Sequence, residues 1–130
     1  MWKSDKASRS LGIEVEVTAL GTATATMQVR EHMLNGLDVC HGGMLFTLAD
    51  TACAFACNSY NRVTLSASGM IHFLRSARLG DVLTAIAVED YRGGRRGFSS
   101  VKVTNQQDEA VALFRGRVVS RDELIVEPAT

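Results

Sequence analysis

Proline is nearly missing from this chain: Pro128, third from the end, stands alone, so no internal Pro-rich linker divides it. Net charge is missing too, with Lys plus Arg totalling 14 and Asp plus Glu totalling 14 in 130 residues. A neutral chain lacks the electrostatic footprint of a nucleic-acid binder. There is no block of like charges and no repeat with a period of about 20–50 residues. No apolar run reaches the roughly 18 residues that a membrane-spanning helix needs. The opening Met1-Trp2-Lys3-Ser4-Asp5-Lys6 lacks the apolar core of a signal peptide, which predicts a cytoplasmic location. Three cysteines cannot build a disulfide framework without one left over, and that fits a reducing compartment. What remains is one compact α+β domain over residues 1–130, long enough to bury its own core. Its polar ends, residues 1–10 and Glu127 to Thr130, are expected to fray.

The apolar periodicity is mostly two. In Thr22 to Arg30 the even positions are Thr, Thr, Thr, Gln and Arg, and the odd ones are Ala23, Ala25, Met27 and Val29, the mark of a half-buried strand. Similar stretches recur at Ile13–Thr18, Thr64–Leu74, Val82–Tyr91, Phe98–Asn105 and Val111–Ser120. Turn residues at Gly80-Asp81, Gly93-Gly94 and Asp108-Glu109 make the last three an antiparallel meander. From Gly42 to Asn58 apolar residues surround a helical axis on every side, so this helix must be buried. Its alanines (Ala49, Ala52, Ala54, Ala56) would let a sheet approach closely. About six strands curling round one helix follow. Since one sheet covers only part of the helix, a second copy is expected as the lid.

The single charged residue in that helix is Asp50, whose neighbours at three and four residues are Phe46, Thr47, Cys53 and Ala54. An ionised carboxylate there is costly unless paired, and desolvation raises its pKa. It reads as a catalytic base or nucleophile, against the blander alternative of a structural carboxylate paired with a loop or an arginine. Cys40-His41-Gly42-Gly43 precedes the helix, leaving first-turn N–H groups and the positive end of the dipole open to a ligand carbonyl. Asp50 and Gly43 lie two turns apart, about 10 Å, too far to act on one carbonyl. Each is therefore expected to serve a different site completed by the partner subunit. From position alone His41 reads first as a hydrogen-bonding turn residue and second as a catalytic one, and Asn35-Gly36 reads first as a plain turn, with the Asn35 amide able to donate.

The string REHMLNGLDVCHGGMLFTLADTACAFACNSY, Arg30 to Tyr60, closely resembles the hotdog-fold acyl-CoA thioesterases of the phenylacetic-acid-degradation type. The matching pieces are MLNG, CHGG and LFxLADTAxAxACNS, and the resemblance extends over about residues 11–120. It implies a hotdog fold, hydrolysis of an aryl- or medium-chain acyl-CoA thioester, sites at a homodimer interface, and pairing of dimers into a homotetramer. It implies that Asp50 activates water or attacks directly, that Gly42 N–H of the other subunit binds the thioester oxygen, and that Asn35 and His41 lie beside it. A serine on the following strand would position the water: Ser66, with Ser68 two residues on and on the same strand face as its rival. The family pattern Leu-Arg-Pro is here Leu74-Arg75-Ser76, a loop with less rigidity.

Coenzyme A, part of the substrate, brings phosphates, for which Arg95 and Arg96 are the first candidates and Arg75 and Arg78 the next. No other cofactor and no metal is expected; the cysteine spacing matches no zinc pattern, and buried thiols are inert. Phe46, Phe55, Met44, Tyr60 and Leu37 are candidates for the acyl pocket. The rival readings are a hotdog dehydratase, which needs an acid and a base on one short motif, and a non-catalytic acyl-CoA-binding protein.

Overall fold

A computed structural model describes residues 1–126; the expectation for Glu127 to Thr130 lies outside the described residues. Six strands, β1 (Glu14–Ala19), β2 (Thr22–Gln28), β3 (Arg62–Phe73), β4 (Val82–Gly93), β5 (Arg96–Thr104) and β6 (Ala110–Leu124), form one antiparallel sheet. Their order is β1-β2-β4-β5-β6-β3, so β4 to β6 are a meander and β3 is an edge. The long helix α2 (Gly42–Cys57) joins β2 to β3 and lies across the sheet.

Period-two alternation sets the register. Ala23, Ala25 and Met27 pair with Ala87, Ala85 and Leu83, and all six are buried under α2. Against them α2 buries Leu45, Leu48, Ala49, Ala52, Cys53 and Ala56. Alanine facing alanine is what lets the helix sit close to the strands, since no side chain holds them apart.

Residues 1–10, expected to fray, carry two short helical elements. Trp2–Ser4 make a 3-10 turn and α1 spans Lys6–Ser10, with Asp5 capping it by accepting from Ser8 N–H at 3.0 Å. The buried Ser8 hydroxyl shares a hydrogen bond with Thr51 of α2 at 2.9 Å, and the Trp2 ring meets Phe55 edge-on at 6.0 Å. Two of the segment's polar residues have structural partners, Asp5 in the cap and Ser8 on α2, while Lys3, Lys6 and Arg9 stay exposed. The chain's own N-terminal segment thus covers one flank of α2. The flank carrying Phe46, Thr47, Asp50 and Ala54 stays half-open, beside the edge strand β3.

Candidate active site

Helix α2 runs antiparallel to β3, and four contacts mark the seam. The Asn58 amide donates to Thr64 C=O at 3.0 Å, and Ser66 Oγ donates to Asp50 Oδ1 at 3.1 Å. Further along, a methyl group placed on Gly69 would come within 3.1 Å of the Phe46 ring, and one on Gly42 within 2.9 Å of Phe73. The seam therefore runs from the carboxylate to the helix start. Its outer side is the free edge of β3.

Asp50 is partly buried, and desolvation raises its pKa above the usual 3.8, with the Ser66 hydrogen bond pulling the other way. Ser66 donates to one carboxylate oxygen and keeps its own lone pairs for another donor. The second candidate serine is elsewhere. A bulge at Ala67 leaves Ser66 opposite Val118 but Ser68 opposite Arg117, so the two serines face opposite sides of the sheet. The expectation that they share a face assumed an unbroken strand, and the extra residue flips it. Ser68 points away from Asp50.

At the helix start His41 is the N-cap, and its Nδ1 accepts from Gly43 N–H at 2.9 Å. That bond assigns the neutral tautomer carrying its proton on Nε2, which is left as a donor. It also takes one of the two N–H groups expected to be open. Gly42 N–H has no partner among the described residues and sits at the positive end of the helix. A cavity of about 420 Å³ opens beside it, lined by Cys40, Gly42, Leu45, Phe73 and Arg75. Asn35 holds its loop through Oδ1, which accepts from Leu37 N–H at 2.9 Å and Val39 N–H at 3.3 Å, and its amide NH₂ is unbonded among the described residues.

The three arginines separate. Arg75 lies at the helix-start cavity, paired with Glu109 at 3.1 Å. Arg95 and Arg96 lie at the β4–β5 hairpin, at the other end of α2, where Arg92 stacks 3.8 Å over the Tyr60 ring and Arg95 pairs with Asp122 at 2.8 Å. Of the suggested pocket residues, Phe46 flanks Asp50 and Met44 stands in the first turn. Phe55 is buried against Trp2, Tyr60 sits under Arg92, and Leu37 is 83% exposed. A larger groove, about 540 Å³, lies on the outer sheet face between Met70, Ile86, Val88 and Leu113, and holds none of the candidate site residues. The smaller cavity is the one that fits the chemistry, because it contains an unsatisfied donor. Burial pushes the Cys53 thiol up to about 11 and Cys57 up to about 12, which leaves them protonated and inert.

Sequence reasoning missed Phe73, Phe114, Gly69 and Gly116. The signal was available: glycines inside strands often mark a close approach.

Comparison with known proteins gives this arrangement a family. The profile of the thioesterase superfamily matches residues 37–112. An acyl-coenzyme A thioesterase, PaaI of Escherichia coli, is 44% identical over 117 residues, covering 90% of this chain and 84% of that protein. The solved structure of the E. coli PaaI protein, from the phenylacetic acid degradation operon, superposes with a TM-score of 0.94 at 41% identity, covering 97% and 91% of the two chains. A Streptococcus mutans protein solved bound to acetyl CoA superposes at 0.82, 25% identical, covering 86% and 90%. With its antiparallel sheet around one long helix, the chain belongs to the thioesterase superfamily, as a hotdog acyl-CoA thioesterase of the phenylacetic-acid-degradation type.

Proposed function

We propose that the protein hydrolyses aryl- or medium-chain acyl-CoA thioesters, phenylacetyl-CoA-like ones foremost, to the free acid and coenzyme A. The observation that carries the reading is the Ser66–Asp50 contact on the seam, a partly desolvated carboxylate with a hydroxyl beside it. Ser66 donates to one carboxylate oxygen, and its own oxygen accepts one hydrogen of a water molecule. The second carboxylate oxygen accepts the other. This two-point grip favours Asp50 as general base over direct attack. Water adds to the thioester carbonyl carbon as its proton passes to Asp50. The C–S bond then breaks, and that proton goes to the departing thiolate. The oxyanion formed in between is stabilised by Gly42 N–H and the helix dipole, with the Asn35 amide and His41 Nε2–H as further donors. The scheme uses no metal and no cofactor beyond the coenzyme A of the substrate.

Gly42 and Asp50 are eight residues apart on one helix, about 12 Å, so they cannot share one carbonyl. The free edge of β3 supplies the remedy. It is twelve residues long and exposes Met70 and Phe73, a form of edge that invites pairing. A second copy paired antiparallel across it, with the two-fold near Gly69 and Met70, brings Ser66 and Asp50 of one copy opposite Phe73 and Gly42 of the other. Each homodimer would then hold two shared sites. The same two-fold carries Arg95 and Arg96 to the end of the molecule where the second copy's helix starts. There, with Arg75 of that copy, they would meet the phosphates of coenzyme A; the ion pairs of Arg75 and Arg95 are weak and exchangeable. Exposed Ile86, Val88 and Leu113 on the outer sheet face offer a surface for joining two dimers into a homotetramer. The buried, unpaired thiols suit a cytoplasmic location.

Thiol release from phenylacetyl-, benzoyl-, hexanoyl- and lauroyl-CoA by wild type and Asp50→Asn tests this. A fall of about 100-fold or more in kcat with KM little changed is expected. Equal acyl-CoA binding by both proteins without thiol release from either would replace the reading with that of a binding protein.

A further inference from the structure

Gly69 and Gly116 face each other across β3 and β6, both toward α2, in the interior of two strands that are otherwise well filled. Neither tolerates a side chain without movement. A methyl on Gly69 would approach Phe114 and Phe46 to 3.1 Å, and one on Gly116 would approach the Cys53 sulfur to 2.9 Å and Phe114 to 3.1 Å. The space these glycines leave is filled by two rings. Phe46 of α2 and Phe114 of β6 meet edge-to-face, centroids 5.2 Å apart and planes at 82°. Phe114 is 3% exposed, whereas Phe46 is half-open on the flank of α2 that faces the free edge of β3. Phe46 lies one turn before Asp50, on the same helix face. Together they make a fixed aromatic wall on the helix-start side of the proposed base.

We infer that Phe46, locked by Phe114 over the Gly69–Gly116 pair, is the specificity-determining wall of the acyl pocket and selects aryl-acetyl over straight-chain acyl groups of equal carbon count. The inference rests on Asp50 being the reaction centre. A ring held edge-on against a buried neighbour offers a flat aryl group a stacking or edge contact, while a flexible alkyl chain must give up rotational freedom for a weaker one. Phe114 does not reach the substrate; it is a positioning residue.

The test compares kcat/KM for phenylacetyl-CoA and octanoyl-CoA in wild type, Phe46→Leu, Phe46→Tyr and Phe114→Leu, with melting temperature recorded for each. The expected result is an aryl-over-alkyl ratio that drops about threefold to tenfold in Phe46→Leu and Phe114→Leu but is kept in Phe46→Tyr, which retains the ring. A ratio in Phe46→Leu within twofold of wild type overturns the inference while leaving Asp50 and the thioesterase reading in place. If Phe46→Leu does not fold, Phe46→Met is read by the same ratio. Wild type that hydrolyses neither thioester overturns both.

Discussion

At the residue scale, the tension lies in Asp50. Its pKa is raised by burial, so ionising it costs folding stability. That cost is absent below the ordinary value of 3.8, grows as pH rises through the raised folded value, and is complete above it. Asp50→Asn should therefore melt at a higher temperature than wild type at pH 7, with the gain disappearing near pH 3–4. Thermal melts across pH check this; a variant less stable at every pH would show instead that the carboxylate is a structural anchor. Ser66 acts on the same group with opposite sign, since its hydrogen bond lowers the Asp50 pKa. Ser66→Ala removes that bond, so the acid limb of kcat against pH should move to higher pH, with kcat down by about tenfold at neutral pH. Such a shift distinguishes a hydroxyl that tunes the base from one that merely packs beside it.

At the element scale, the start of α2 does two things with adjacent N–H groups. Gly43 N–H is used for capping by His41, and Gly42 N–H has no partner among the described residues, which is where the proposed scheme puts the thioester oxygen. Proline at the first helical position is well tolerated, and the extended backbone of His41 (φ −59°, ψ 135°) suits a following proline. Gly42→Pro therefore deletes the donor with little harm to the helix. Its ring needs Phe73 to swing outward, as does the methyl of Gly42→Ala, which serves as the control. Steady-state assays should show kcat lower by about 10²–10³ in the proline variant and a much smaller loss in the alanine variant. Equal losses in both would mean that displacement of Phe73, rather than the missing N–H, is responsible.

At the scale of the whole molecule, the proposed scheme requires Asp50 and Gly42, about 12 Å apart along one helix, to come from different copies of the chain. Asp50→Asn and Gly42→Pro, each nearly inactive alone, should complement when refolded together. A mixed dimer would hold one site with both defects and one with none, so random mixing should restore about a quarter of wild-type activity. No recovery despite mixed dimers seen by mass would place Asp50 and Gly42 of one chain in the same site.

The alternation of Ala23, Ala25 and Met27 and the all-round apolar character of Gly42 to Asn58 determined by themselves the strands, the buried helix and the α+β class, because period and burial are local properties of a chain. Asp50 was legible for the same reason, as a charge where only apolar groups belong. Other features needed tertiary structure. The bulge at Ala67 separated Ser66 from Ser68, since one inserted residue reverses the faces of a strand and pairing partners are remote in sequence. Docking of Ser8 and Trp2 on α2 turned a polar terminus into structure, because the groups that satisfy it lie some forty residues and more away. Phe46 was visible as one aromatic among several. Its pairing with Phe114, on a floor made by two glycines of different strands, exists only where the fold brings three distant segments, α2, β3 and β6, together.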